Sequence, residues 1–178
     1  IFLIPWIRTA DMSTIASHLS RFSFPNPVNE VAARLVAGGV VVLAFAVALL
    51  GQTWVLVPLA YGFVARVAAG PRYSPLALLV TRVAVPRLGL EPRNVPGPPK
   101  RFAQGMGAVI TVTALVLAYG FDQPGAARVL AGGIVVAATL ESVFALCIGC
   151  KIFVGLMRLG VVPESACRAC ADLSLRRT

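Results

Sequence analysis

Of the 178 residues, 58% are apolar and 13% are charged, whereas a soluble domain is about 45–50% apolar and about 25% charged, so a soluble enzyme domain and a disordered chain are excluded. The 16 Lys and Arg residues outnumber the 7 Asp and Glu residues and give a formal net charge of +9. We therefore expect an integral membrane protein whose charges lie mainly in the segments outside the bilayer.

Residues 1–30 are expected to form an N-terminal cytoplasmic arm. The chain begins with Ile1, and Met12 offers a natural start, so one expectation is that residues 1–11 are a fragment, a tag remnant or upstream sequence. Their apolar stretch is too short for the core of a secretory signal peptide. His18 is the only histidine, and we interpret it as a solvated residue of this arm.

Four apolar runs are predicted to cross the membrane as helices, because a hydrocarbon core requires about 20 helical residues. The first two runs are separated by a short turn, and a long loop precedes the third. The predicted fold is an all-α four-transmembrane-helix bundle over residues 31–159, with spans at 31–50, 54–69, 102–119 and 129–149.

The loop at 70–101 carries seven prolines and cannot form one spanning helix. Its apolar part, residues 75–88, is interrupted by Arg82, Pro86 and Arg87. This pattern predicts a cytoplasmic helix lying in the membrane interface, with its arginines reaching the headgroups. A re-entrant segment is the alternative.

The basic residues predict the orientation. Fifteen of the 16 fall on one side of the four predicted spans, and Arg128 is the exception. The positive-inside rule places the basic side in the cytoplasm. We therefore expect a multi-pass protein of the plasma membrane, with both termini, the loop at 70–101 and a short tail at 160–178 in the cytoplasm.

A ten-residue segment occurs twice. Residues 33–42 and 127–136 are identical at seven of ten positions, and each copy contains a pair of glycines. Inverted repeats are known in transporters, but the second and third spans show no matching similarity. We therefore predict that Gly38, Gly39, Gly132 and Gly133 are packing residues that let helices approach closely in lipid.

The four cysteines form two C-x-x-C pairs, Cys147 with Cys150 and Cys167 with Cys170, and 16 residues separate the pairs. This spacing is typical of a four-thiolate zinc site. The predicted cytoplasmic location argues against a permanent structural disulfide, because cytosolic thiols are kept reduced. Metal binding and the cycling of electrons or sulfur both remain open.

The two pairs are expected to differ in reactivity. If the fourth span is continuous, Cys147 and Cys150 lie on one helix face, in apolar surroundings that disfavour a thiolate. A short terminal helix beginning after Pro163 would place Cys167 near a helix N-terminus and beside Arg168, which favours a thiolate. Cys167 is therefore the expected nucleophile, and Cys170 the resolving cysteine.

Three polar residues are expected inside or beside the spans. Glu141 lies well within the fourth span, and ionisable residues in such positions are costly and often functional. It is expected either to form an ion pair with Arg34 or Arg66 or to take part in a proton-linked step. Gln104, near the start of the third span, is expected to form a hydrogen bond between helices.

The chain resembles the bacterial membrane family called domain of unknown function 4395, through residues 27–30 (Pro-Val-Asn-Glu), residues 101–104 (Arg-Phe-Ala-Gln) and the pair Cys147 and Cys150. The resemblance covers about residues 24–172. It implies a small four-span protein without an assigned activity. The resemblance also implies genomic neighbours that encode thioredoxin-like proteins or sulfurtransferases. In architecture alone, the chain also looks like quinone-linked thiol oxidoreductases of the vitamin K epoxide reductase type.

These observations lead to several functional hypotheses. The first is a thiol/disulfide or sulfur relay, in which both pairs work with a soluble thioredoxin-like or sulfurtransferase partner. The second is a non-enzymatic scaffold with zinc held by all four cysteines. A transporter of small sulfur species and a quinone-linked thiol oxidoreductase are further alternatives. The bilayer, with its anionic lipids, is the expected partner of the basic loop rather than nucleic acid, and a homo-oligomer stays open.

Overall fold

The computed structural model describes residues 24–89, 91–167 and Cys170. Its helices are α1 (Glu30–Ala48), α2 (Leu56–Ala69), α3 (Pro75–Leu79), α4 (Val85–Leu88), α5 (Gly97–Tyr119), α6 (Pro124–Phe144) and α7 (Ile148–Arg158). Single 3₁₀ turns cover Thr53–Val55, Gly70–Arg72 and Glu164–Ala166, and a π-helical segment covers Val80–Ala84. The expectations for His18, for residues 1–11 and for most of the tail lie outside the described residues.

Four helical stretches are long and apolar enough to cross a membrane, as the hydropathy predicts. They are Glu30–Ala48, Thr53–Leu88, Gly97–Tyr119 and Pro124–Phe144. The first agrees closely with the predicted span. The other three differ in ways that determine where the polar residues lie.

The first span begins where its sequence provides a cap. Asn29 accepts hydrogen bonds from the backbone N–H groups of Val31 (3.0 Å) and Ala32 (3.4 Å) through its side-chain oxygen. Such a cap satisfies donors that an α-helix otherwise leaves unpaired. After Ala48, Gly51 adopts a positive φ of 69° that glycine tolerates, and the chain turns into the second span.

The main core lies between α1 and α6, which pack more closely with each other than with any other described helix. Val40 and Ala44 of α1 are buried against Ile134 and Ala138 of α6. These residues occupy equivalent positions in α1 and α6, counted from the repeated segment. The two copies therefore meet through their alanine and β-branched positions.

The expectation that the paired glycines are packing residues is wrong for three of the four. A Cβ atom added at Gly38, Gly132 or Gly133 would meet no atom of the described residues within 4 Å. Gly39 alone is close-packed, because a Cβ there would lie 2.6 Å from Leu76 Cδ1. That contact is with α3, not with α6.

The second span continues beyond its predicted end at residue 69, through a break near Gly70 and Ser74, into residues 75–88. These residues are helical, as predicted. Ala77 and Val80 are buried against Ala32 and Val36 of α1, so this segment is tied to the bundle along one face. Its location in the membrane interface stays a prediction.

The third span begins at Gly97, five residues before its predicted start. Pro98 and Pro99 occupy the first turn, where proline is tolerated because the missing N–H would have no helical partner. Just before α5, Asn94 and Val95 form strand β2, which pairs antiparallel with β1 (Val28–Asn29). Because α5 begins at Gly97 and not at residue 102, Lys100 lies within the helix.

The fourth predicted span, 129–149, is wrong at both ends, since α6 runs from Pro124 to Phe144. Ala145 adopts a left-handed conformation with φ 54° and ends the helix. A separate helix, α7, then begins at Ile148. The cysteines at 147 and 150 are consequently not on the spanning helix.

Candidate functional site

A cleft of about 1050 Å³ opens at the end of the bundle where α5 begins and α6 ends. We call it the cysteine cleft. Lys100, Cys147, Cys150, Lys151 and Cys170 are among the residues that line it. The fold therefore brings three of the four cysteines, one from the second pair, to the same cleft.

The break between α6 and α7 positions the first pair. Cys147 is the N-cap residue of α7, with an extended backbone, and Cys150 lies in the first turn. A thiolate at a helix N-terminus is stabilised by the helix dipole and by nearby backbone N–H groups. The expectation of a continuous fourth span that contains Cys147 is thus wrong, because Cys147 begins a new helix.

Gly149 lets α7 approach α5 closely. A Cβ atom at this position would lie 2.6 Å from the Cβ of Ala103 and 2.7 Å from its Cα, so a larger residue would displace the backbone. One turn along, Phe153 packs against Phe102 with ring centroids 5.6 Å apart. These contacts hold the first turn of α7 beside the start of α5.

The two thiols of the first pair are free, and they influence each other. A hydrogen bond from the Cys150 thiol, with lesser help from Lys100 and the Cys150 backbone N–H, holds the pKa of Cys147 below its ordinary value despite burial and Glu141. The same hydrogen bond, together with burial, raises the pKa of Cys150. Cys147 is therefore the thiol that ionises first.

Lys100 and Glu141 form an ion pair beside these thiols. The Lys100 Nζ lies 2.7 Å from Glu141 Oε1, and the side chains are only 9% and 15% exposed. The expected partners of Glu141, Arg34 and Arg66, are not the ones it binds. Arg34 instead donates to the backbone carbonyls of Ser142 and Val143 at the end of α6.

Sequence reasoning missed Lys100 as a site residue because residues 70–101 were interpreted as one loop. Two signals could have found it. Consecutive prolines at 98 and 99 are typical of a first helical turn, and Lys100 lies four residues before Gln104, on the same helix face. The expected interhelical role of Gln104 is confirmed, since its Oε1 accepts a hydrogen bond of 2.8 Å from Arg66 Nε.

The second pair is joined by a disulfide between Cys167 and Cys170. Cys167 is buried and is not among the residues that line the cysteine cleft, whereas Cys170 is. In this form neither sulfur is a free thiol, so the expected attack by Cys167 would first require reduction of the bond. The free thiols are those of Cys147 and Cys150.

This arrangement does not fit the zinc hypothesis. Cys167 and Cys170 are bonded to each other and cannot also act as thiolate ligands. Within the residues that the structure describes, no group of three or more His, Cys, Asp and Glu side chains is placed to hold a metal ion.

One family matches the chain. The family described as Domain of unknown function (DUF4395) matches residues 28–158. These residues include both copies of the repeated segment, Lys100 and the pair Cys147 and Cys150. No curated protein and no solved structure matches the chain.

Proposed function

The chain belongs to the family Domain of unknown function (DUF4395), and we propose that it is a membrane-embedded relay that exchanges electrons between its two cysteine pairs. One observation carries this proposal: a free dithiol and Cys170, one of the two cysteines of a disulfide, line the same cleft. A dithiol and a disulfide are the two reactants of thiol–disulfide exchange.

Cys147 is the attacking residue in this proposal. The hydrogen bond from Cys150 lowers the pKa of Cys147 and so favours the thiolate, which is the nucleophilic form. Its target is Cys170, because Cys170 lines the cleft. Cys150, whose thiol stays protonated longer, is suited to the later resolving step.

The exchange is balanced within the chain. The Cys147 thiolate attacks Cys170 Sγ, so that a Cys147–Cys170 bond forms, the Cys167–Cys170 bond breaks and Cys167 leaves as a thiolate. Cys150 then loses its proton and attacks Cys147 Sγ, which releases Cys170 as a thiolate. The two leaving thiolates take up protons, so two electrons and two protons have passed from the first pair to the second.

The relay needs a donor that reduces Cys147–Cys150 again, and we propose a soluble thioredoxin-like protein whose dithiol becomes a disulfide in that step. It also needs an oxidant that restores the Cys167–Cys170 disulfide, and we propose a membrane quinone, which takes up the two electrons and two protons and becomes a quinol. Lys151 is an exposed cation in the cleft lining that would favour an acidic surface on this partner. The cleft lies at the basic end of the bundle, and the positive-inside rule supports a cytoplasmic location for it. The dithiol of a cytoplasmic thioredoxin-like partner could then reach the cysteine cleft.

The experiment that tests the exchange maps disulfide linkages in Cys150→Ser, in which residue 150 cannot resolve the mixed disulfide and alkylation of the released Cys167 thiolate prevents the reverse reaction. The protein is purified anaerobically in detergent, alkylated and digested with trypsin. Cleavage after Lys151, Arg158 and Arg168 places Cys147, Cys167 and Cys170 on three different peptides. We expect the peptide of Cys147 to be joined to the peptide of Cys170.

The matched control is Cys147→Ser, which keeps Cys150 but removes the proposed nucleophile. It should retain only the linkage between the peptides of Cys167 and Cys170. Absence of the Cys147–Cys170 linkage in Cys150→Ser, or a linkage from Cys150 to Cys170 in the control at equal yield, would overturn the proposed attack.

A further inference from the structure

The sides of α7 have different surroundings. Successive residues of an α-helix are rotated by about 100° around its axis, so Gly149 and Phe153 lie on one side, and both are buried in the contacts with α5 described above. Cys150 and Val154 lie on a second side and line the cysteine cleft. The residues of a third side belong to neither set.

This third side is apolar and exposed. Ile148, Ile152 and Leu159, the C-cap residue, lie within about 40° of one another around the helix axis. They are 37%, 40% and 78% exposed. We call these three residues the α7 stripe. Its centre lies about 180° from Cys150 around the axis, so the stripe and Cys150 are on opposite sides of the helix.

Positive charge borders the stripe. Lys151 and Arg158 are seven residues apart and therefore lie on the same side of α7, next to the stripe. Both are exposed, and neither belongs to an ion pair within the described part of the chain. Helix α7 contains no acidic residue. Lys151 also lines the cysteine cleft, whereas Arg158 does not, so Arg158 is the cation that borders the stripe alone.

Helix α7 lies beside the ends of two helices that can cross a membrane. Both α5 and α6 are long and apolar enough to do so. Helix α7 begins four residues after the end of α6 and packs against Phe102 and Ala103, in the second turn of α5. Arg101 in the same turn is exposed. Because an exposed charge is costly within hydrocarbon, we expect this turn, and α7 with it, at the membrane boundary.

We propose that α7 is an interfacial helix that binds an anionic lipid surface. Ile148, Ile152 and Leu159 contact the acyl chains next to the headgroups, and Arg158 reaches the lipid phosphates. A basic amphipathic helix suits such a surface because its apolar side leaves water while its cations offset the negative charge of the lipid. Cys150, on the opposite side, then faces the aqueous phase. This binding does not depend on thiol–disulfide exchange, because no residue of the stripe carries sulfur.

The experiment measures which reagents reach α7 in vesicles of phosphatidylcholine and phosphatidylglycerol. Single cysteines carry a nitroxide spin label in the full chain, whose native cysteines are all serine. The contacts of Gly149 and Phe153 with α5 involve no sulfur, so this background retains them. Relaxation by oxygen, which concentrates in hydrocarbon, is compared with relaxation by a water-soluble nickel chelate. Val136→Cys, exposed on α6, and Gln123→Cys, exposed just before α6, are the lipid and water references.

We expect the ratio of oxygen to nickel relaxation at Ile152→Cys and Leu159→Cys to exceed that of Gln123→Cys by about threefold or more, as for a helix seated in the interface. Val154→Cys is the matched control, because it replaces an aliphatic residue on the cleft side of the same helix. Its ratio should be lower than those of the two stripe positions. An equal ratio at all three positions would mean that α7 does not present one side to the lipid, and would overturn the proposal.

Two other results would also overturn it. A ratio at the stripe positions as low as that of Gln123→Cys would place the stripe in water. Protection of these positions from both reagents would show that a protein surface, such as a second copy of the chain, covers the stripe instead of lipid.

A second arm tests the role of charge. In vesicles of phosphatidylcholine alone, the ratio at Leu159→Cys should be lower than in vesicles that contain phosphatidylglycerol, and Arg158→Gln should abolish this difference. Arg82→Gln removes the same charge from an exposed arginine outside α7 and should preserve the difference. A ratio that does not depend on phosphatidylglycerol, or that depends on it equally in Arg158→Gln, would contradict the binding of anionic lipid.

Discussion

Arg34 and Arg128 each close the end of the helix on which the other lies. Arg34 donates to the carbonyl of Ser142 through both Nε and Nη2, each over 3.1 Å, and Arg128 Nε donates to the carbonyl of Ala48 over 3.0 Å. The two arginines are 94 residues apart, and so are the two carbonyls. The repeated segments thus form an antiparallel pair with reciprocal caps.

Removal of either cap should destabilise the bundle. A hydrogen bond from a charged group contributes about 1.5–3 kcal/mol, and the last carbonyls of a helix otherwise lack partners. We expect Arg34→Gln and Arg128→Gln each to lower the free energy of unfolding by about 1–3 kcal/mol. Detergent unfolding followed by circular dichroism measures this change.

The exposed Arg82→Gln is the control for loss of charge and should change the unfolding free energy by less than about 0.5 kcal/mol. The double variant Arg34→Gln with Arg128→Gln should show an additive loss, because the caps lie at opposite ends of the helices. A double variant no less stable than the single ones would contradict independent caps.

The reactivity of Cys147 should depend on pH in a way that Cys150 controls. Because the pKa of Cys147 lies below that of an ordinary thiol, its alkylation rate should remain high to lower pH and fall only as the pH drops through the lowered pKa. Cys150→Ala removes the hydrogen bond, so the midpoint of the profile should move to higher pH. Iodoacetamide rates, followed by mass spectrometry, measure the midpoint.

Cys150→Ser is the matched variant for that experiment, since its hydroxyl can still donate to the Cys147 sulfur. Its midpoint should lie between those of the wild type and Cys150→Ala. Identical midpoints for all three chains would show that the hydrogen bond does not set the pKa.

The ion pair of Lys100 and Glu141 should affect stability and thiol chemistry differently. Removal of one partner of a buried pair leaves an uncompensated charge and costs about 3–5 kcal/mol, so Lys100→Met and Glu141→Gln should both be destabilising. Lys100 lowers the pKa of Cys147 and Glu141 raises it. The alkylation midpoint should therefore rise in Lys100→Met and fall in Glu141→Gln, and shifts of the same sign would contradict this electrostatic coupling.

Gly149 should be intolerant of a side chain, whereas Gly133 should tolerate one. Both lie in helices, but a Cβ at Gly149 meets the backbone of Ala103 and one at Gly133 meets no atom of the described residues within 4 Å. Overpacking of this kind costs about 1–3 kcal/mol, while alanine in an open helical position gains about 0.5–1 kcal/mol over glycine. The free energy of unfolding should therefore fall in Gly149→Ala and rise in Gly133→Ala.

The orientation can be tested with two introduced cysteines on a chain whose native cysteines are all serine. Glu91→Cys lies at the basic end of the bundle and Gln123→Cys at the other, and both native side chains are exposed. A membrane-impermeant maleimide should label Gln123→Cys on intact cells and Glu91→Cys only after lysis. The reverse pattern would place the cysteine cleft outside the cytoplasm.

Hydropathy predicts the number of spanning stretches and the bounds of the first because burial in lipid acts on some 20 residues at once. It did not reveal the break at Ala145, since residues 143–148 are uniformly apolar or cysteine and contain neither glycine nor proline. The turn at Ala145 closes through hydrogen bonds from the backbone N–H groups of Ala145 and Leu146 to the carbonyl of Leu140, which no particular side chain announces. The N-cap position of Cys147 depends on that break, so the reactive thiol could not be identified from spacing alone.

Partners of polar side chains were equally hard to predict. The cost of burying Glu141 correctly indicates that it has a counter-ion, but the choice of Lys100 depends on how α5 and α6 meet, which the sequence does not display. The role of Gln104 was easier to predict. A polar side chain on an otherwise apolar helix usually finds its hydrogen-bond partner on a neighbouring helix.

The close packing of α1 with α6 has a consequence for the synthesis of the chain. The end of α1 and the start of α6 are separated by about 75 residues, which a ribosome adds in about 4–15 s at its usual rate. During that interval α1 lacks its principal neighbour, and the carbonyls that Arg34 binds do not yet exist. The first helix must therefore persist without α6, and its Asn29 cap and its apolar sequence, which is long enough to cross a membrane, favour this.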